Sequence, residues 1–258
     1  MDLNVEWAMI DFSAFLIERV KFDTTLMYHD VLNPLLWKKN KLRRDVHNAL
    51  LRIAHDWATF SRIPFDSIKD IIITGGSCNY NYTSFSDIDL HLVVDMKNII
   101  KDPDILDDWL YDKKVLWAKY HPDIKIKGYS VGLYAQDEKQ SVKKSQGVYS
   151  LVQDEWLAEP EHQSVDEIYN DRNLIRKIKY YSKQIDNFAN SFTFPTKETI
   201  SQARKLKSKF HKMRASGIQK AGEFAHENLI YKALRNMGQL DKLSEFLRHA
   251  EDREYSID

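Results

Sequence analysis

The chain has 258 residues, with 38 basic and 38 acidic side chains and no formal net charge, so its overall charge points to no polyanionic partner. A single cysteine, Cys78, excludes an intramolecular disulfide and favours a reducing compartment. There is no run of 18 apolar residues, and the first 23 residues carry five acidic side chains, so neither a signal peptide nor a helical membrane span is expected. The expectation is a cytoplasmic protein of one large domain or two closely associated ones.

Residues 3–28 lack clean periodicity and read as an irregular arm or short helices. From Asn33-Pro34 to about Ser61, apolar residues from Leu35 and Leu36 to Trp57 and Ala58 recur at three- and four-residue spacing, which predicts one long amphipathic helix. Its basic run from Lys38 to Arg44 is either a solvated face or a phosphate-contacting patch. Ile63-Pro64 ends that helix. Strands are predicted over 69–74 and 87–95, a helix over 103–119, and a hairpin of 124–126 with 130–136 around Gly128. The pattern from about 165 onward is helical, with spans near 165–190, 196–215, 225–237 and 239–251 broken at Phe194-Pro195-Thr196, Gly217 and Gly238. The fold class is therefore α+β: a small mixed sheet with helices on one face, then an all-helical C-terminal domain. The boundary is placed near Leu157-Ala158-Glu159-Pro160, giving domains 1–160 and 161–258.

The stretch that organises these elements is Ile71-Ile72-Ile73-Thr74-Gly75-Gly76-Ser77, followed by Ser86-Asp87-Ile88-Asp89-Leu90-His91. An apolar strand here delivers a glycine turn. Strand alternation then sends Asp87, Asp89 and His91 to one face and Ile88, Leu90, Leu92 and Val94 to the other. Gly75 and Gly76 let backbone N–H groups approach phosphate oxygens, with the Ser77 hydroxyl as a further donor. The turn is not a P-loop, because the lysine and spacing of that motif are absent. Asp87 and Asp89 are hard oxygen ligands suited to Mg2+, with Mn2+ as the alternative. His91 shares their face, where it either hydrogen-bonds a carboxylate or phosphate or lines the sheet surface. Cys78 reads as a bystander to the turn, since no local motif marks a His or Asn partner for it.

Strand, Gly-Gly-Ser and Asp-x-Asp in this order resemble the nucleotidyltransferase fold of the DNA polymerase beta superfamily. Val131-Gly132-Leu133-Tyr134, Gly147-Val148-Tyr149-Ser150-Leu151, and Gly222-Glu223-Phe224 with Glu227-Asn228-Leu229 add a looser resemblance to phage-encoded nucleotidyltransferase-like proteins. The first resemblance implies that Asp87 and Asp89 are catalytic metal ligands and that Gly75, Gly76 and Ser77 bind the phosphates of an NTP, ATP first among them. The acceptor would be RNA, protein or a small molecule, in the cytoplasm (of the host, for a phage protein). It also implies a third carboxylate on the strand at 129–134, where this chain has Gly132. Three options follow: Asp95 or Asp137 substitutes, the second metal is held weakly, or catalysis is lost and nucleotide binding remains. On this reading Gly132→Glu raises metal affinity or transfer.

The helical half contains a basic series from Arg172 to Lys220, either a solvated face or a nucleic-acid contact. Tyr180 and Tyr181 within it either stack on bases or belong to the core. Asn228, Lys232 and Arg235 share a helix face, and Lys232 and Arg235 are candidate nucleotide-binding residues. Three functions remain open: a Mg2+-dependent nucleotidyltransferase, a nucleotide-binding protein without catalysis, or a nucleic-acid-binding protein using its basic helices. Oligomeric state has no sequence signal.

Overall fold

Trp37 and Leu42 are both buried, but they face each other across a hairpin rather than sharing a helix face. The computed structural model describes residues 26–140, 146–162, 168, 171–191 and 195–256; the arm expected over 3–28 lies almost wholly outside them. Strands β1 (Trp37–Lys38) and β2 (Lys41–Leu42) pair around Lys39 and Asn40, whose φ angles are 51° and 60°. Two successive positive φ values suit the tight hairpin turn whose twist matches its strands. This corrects the single helix expected from Asn33: helix α1 begins only at Arg44 and runs Arg44–Ser61. Periodicity failed here because Trp37 is fixed from a distance. Its indole donates to the Ser77 carbonyl at 2.9 Å and its ring stacks on Trp156 at 4.6 Å.

α1 buries Val46, Leu50, Ala54, Trp57 and Ala58 along one stripe and ends where Arg62 turns left-handed, just before Ile63-Pro64. After it come β3 (Ile68–Thr74), β4 (Ile88–Val94), helix α2 (Pro103–Tyr120), β5 (Lys125–Ile126), β6 (Tyr129–Asp137), β7 (Val148–Ser150) and β8 (Glu155–Ala158). The six strands from β3 onward lie in the order β5-β6-β4-β3-β7-β8. Only β4 and β6 are parallel, and α2 supplies the long crossover that parallel neighbours need. Asp102 caps α2 by accepting from Asp104 N and Ile105 N. β7 and β8 were not expected. Three residues are too few to show alternation, and all of β7 is buried.

β4 alternates strictly between buried and half-buried residues. Ile88, Leu90, Leu92 and Val94 join the stripe of α1 in one core, together with Leu133 and Tyr149. Asp89 and His91 occupy the other face.

By contact the chain divides into two units, one of Tyr28–Gln163 and the other of Ser164–Asp258 joined by the segment that ends at Met27. The second is helical: α3 (Arg172–Ser191), α4 (Lys197–Ala221), α5 (His226–Asn236) and α6 (Gln239–Tyr255). Leu174, Ile178 and Ile185 of α3 pack with Phe210, Leu229, Leu234, Leu243 and Leu247. Thr196 caps α4 by accepting from Thr199 N, and Gly238, at φ 72°, separates α5 from α6. Gly217 does not break the chain. α4 runs through it, and a Cβ there would lie 2.7 Å from that of Glu227, so this glycine serves close packing. Tyr181 meets Phe210 edge-on at 5.2 Å and belongs to the core, whereas Tyr180 is exposed. Among the described residues no helix is long and apolar enough to cross a membrane.

A buried polar group sits within this unit. The Glu223 carboxylate accepts from Lys232 Nζ at 2.8 Å and from Asn228 Nδ2 at 3.3 Å, and the same amide also donates to the Glu223 carbonyl at 2.7 Å. Burial alone would raise this carboxyl, but Lys232, and beyond it Arg214, outweigh burial and hold it below the ordinary glutamate value. A depressed carboxyl contributes stability that is present above its ordinary titration range and lost as pH falls through the lowered value. Lys232→Met, which takes the ammonium away from a buried carboxylate, is expected to cost about 3–5 kcal/mol. Chemical denaturation at neutral pH measures that loss, and repeating it at acid pH should show a smaller difference between variant and parent.

Candidate functional site

β3 ends at Thr74, which stands directly opposite Asp89 in the antiparallel ladder with β4. Gly75 follows with φ 81° and ψ −159°, a conformation essentially reserved for glycine. A Cβ at Gly75 would collide with the Asp89 carboxylate, and one at Gly76 would lie 3.2 Å from Ser86 Oγ. The glycine bend and the start of the acidic strand are thus in direct apposition. Asp87 and Asp89 are both half-buried.

The bend is fixed by contacts that no local motif advertises. Gly76–Cys78 form one 3₁₀ turn, with Cys78 N donating to Gly75 O at 3.1 Å. Asn79, almost fully buried, donates from Nδ2 to Gly75 O at 2.6 Å and accepts from Gly147 N at 3.1 Å. Thr74 Oγ1 donates to Gly147 O at 3.0 Å. Gly147 packs so tightly that a Cβ would collide with the Cys78 carbonyl. Trp37 secures the Ser77 carbonyl from the hairpin. One buried amide therefore ties the bend to the chain entering β7.

The candidate residues separate clearly. Gly75 meets Asp89 and Gly76 meets Ser86, with Ser77 in the same turn and Asp87 one residue before β4. The Ser77 side chain is buried, and its hydroxyl, expected as a further phosphate donor, turns back to the Thr74 carbonyl at 3.4 Å. Cys78 is fully buried, and burial pushes its thiol up, which suits a bystander. His91 Nδ1 lies 2.7 Å from Gln136 Oε1, and its ring stacks on Tyr134 at 4.7 Å. Lys232 and Arg235 lie in α5 of the helical unit, and the Lys232 ammonium is engaged by Glu223. The run from Lys38 to Arg44 spans the hairpin, where Lys41 pairs with Asp154 at 3.4 Å. In the basic helices, a groove of about 450 Å³ is lined by Arg204, Lys207, His211 and Arg248. Glu251 holds Arg204 there at 2.8 Å.

The register of β4 with β6 places Gly132 directly beside Asp89. A Cβ at 132 would lie 3.4 Å from Asp89 Oδ1 and 3.2 Å from Tyr134 Cε2. A glutamate there brings its carboxylate beside Asp89 only if Tyr134 gives way. Neither proposed substitute reaches this position. Asp95 follows the far end of β4, roughly 20 Å along the strand from Asp89, and accepts from Lys97 N and Asn98 Nδ2. Asp137 pairs opposite Val94 at the same far end and accepts from Lys139 N at 2.9 Å. Among the described residues no group of three His, Cys, Asp or Glu is placed to hold a metal ion. Asp87 and Asp89 are two hard oxygen donors, the kind Mg2+ takes, and among the described residues no third such side chain joins them.

Sequence reading missed Lys114 of α2. Its Nζ lies 3.4 Å from the centroid of the Tyr134 ring. Burial lowers the ammonium from its ordinary value, while the charges of Asp89 and Asp87 oppose that shift.

No family model matches the chain, and no curated protein matches it. Among solved structures it is similar to a STING-associated CdnE c-di-GMP synthase from Capnocytophaga granulosa, with 11% identity over 83% of this chain and 84% of that one, at a TM-score of 0.21. A likeness that loose says nothing about which reaction this chain performs.

Gly75→Ala tests the apposition directly. Strain at positive φ and the collision with Asp89 are expected to cost about 1–3 kcal/mol, read as a lowered thermal midpoint.

Proposed function

We propose that this chain is a nucleotidyltransferase, moving a nucleoside monophosphate from an NTP to a hydroxyl acceptor with the help of one divalent cation. The observation that supports it is the contact between the Gly75 bend and the Asp89 carboxylate, in a register that sets Thr74 opposite Asp89. A 3₁₀ turn leaves its first N–H groups without acceptors inside the turn, so Gly76 and Ser77 offer backbone donors to phosphate oxygens. Asp87 and Asp89, half-buried at the edge of this bend, would hold Mg2+, with Mn2+ as the alternative. When bound, the cation offsets charge on the reacting phosphate and its oxygens. The residues' own work is positional: the bend grips the polyphosphate, and the acids fix the α-phosphorus relative to the incoming hydroxyl. ATP is the first triphosphate to test, and RNA or a protein side chain the first acceptor.

A second reading, nucleotide binding without transfer, is favoured by Gly132. It stands beside Asp89 where a further carboxylate would complete a two-ion site.

Titration calorimetry with each NTP, with and without Mg2+, tests both readings at once. Cation-dependent binding that Asp89→Asn weakens at least tenfold is expected. α-Labelled NTP then separates them, because label transfer with pyrophosphate release marks the enzyme and its absence marks the binder. Equal binding by the parent and Asp89→Asn would remove the acid pair from the site.

A further inference from the structure

The face of the sheet that carries Asp89 also carries a cation. β4 and β6 run parallel, with Asp89 beside Gly132, His91 beside Tyr134, and Val93 beside Gln136. Tyr134 fills the space next to Gly132, its ring edge 3.2 Å from where a Cβ would stand. The ring is steadied by stacking on His91. Lys114 reaches over from α2 and sets its ammonium 3.4 Å from the ring centroid. An ammonium over an aromatic face is held by the ring's quadrupole, and more firmly when partly desolvated. Lys114 is half-buried, and among charged groups Asp89 and Asp87 are the ones that act on it.

The charge balance of the site gives this arrangement a purpose. A triphosphate with one divalent cation remains an anion, and here it must sit against two carboxylates. Among the described residues no third acid joins the pair to help hold a second metal ion that would offset that repulsion. A fixed ammonium beside the acid pair supplies positive charge without needing a ligand set, and lysine binds phosphate as a compact point charge.

We propose that Lys114 is a triphosphate-binding residue. Its ammonium, seated on Tyr134 beside Asp89 and Gly132, takes the place of a second metal ion, so that the site works with a single divalent cation. The proposal rests on the triphosphate reading of the glycine bend and names the group that makes one cation sufficient.

The full-length chain and three variants, Lys114→Met, Lys114→Arg and Tyr134→Leu, test it by calorimetry with ATP and Mn2+, and by electron paramagnetic resonance to count bound Mn2+. The parent should bind one Mn2+ per ATP. Lys114→Met should bind Mn2+·ATP about 10- to 100-fold more weakly, Lys114→Arg should retain most of the affinity, and Tyr134→Leu should fall between them. Mn2+ alone should bind more tightly to Lys114→Met, because a positive charge beside the acids has gone. Loss of one affinity with gain of the other is a signature that general damage to the fold would not produce. Unchanged ATP affinity in Lys114→Met, or two Mn2+ per ATP in the parent, overturns the proposal. Failure of the parent to bind any triphosphate, while Mn2+ still binds the acid pair, would overturn the triphosphate reading and the proposal with it.

Discussion

Everything at this site depends on one steric fact: the Asp89 carboxylate occupies the volume that a side chain at Gly75 would need. The β3–β4 ladder sets the register, the missing Cβ admits the carboxylate, and the positive φ of Gly75 turns the chain at that point. Shifting the ladder by one residue would send Asp89 to the face packed under α1 and bring Leu90 out, at a cost in both burial and charge. The core of the sheet unit thereby enforces the position of an acid that lies outside it. Ile88, Leu90, Leu92 and Val94 cannot all be buried unless Asp89 faces the bend.

A second layer of constraint is polar and remote in sequence. Asn79 links Gly75 to Gly147, Thr74 links to Gly147 as well, and Trp37 links Ser77 to the hairpin. These are buried hydrogen bonds, where an unpaired group would be costly. The short β7, which contributes no candidate chemistry, thus matters to the site through its lead-in at Gly147.

Much of this was legible from the residues alone. The Gly75-Gly76 turn, the alternation of β4, the hairpin around Gly128 and the helix start near Thr196 each carry a local physical signal, and the structure has all four. What stayed hidden depends on contacts between distant residues. Asn79 looks like an ordinary loop asparagine until Gly147 arrives beside it. Lys114 looks like one helix lysine among several until β6 brings Tyr134 beneath it. The hairpin at Lys39-Asn40 was lost inside a helical spacing because periodicity cannot see Trp156 holding Trp37. Lys232 has the spacing of a ligand-facing residue, yet its ammonium is engaged by a glutamate whose burial no spacing reveals.

The pairing of a bare backbone with a half-buried acid also makes the two unequal under mutation. A change at Asp87 or Asp89 alters the charge beside the bend and leaves the packed sheet largely intact, because neither side chain belongs to the core. A change at Gly75 or Gly147 strikes the scaffold, since backbone or carboxylate already fills the space a new atom would enter. Drift in this chain can therefore remove the charges beside the bend long before it erases the bend itself, and the glycines are the more durable half of the pair.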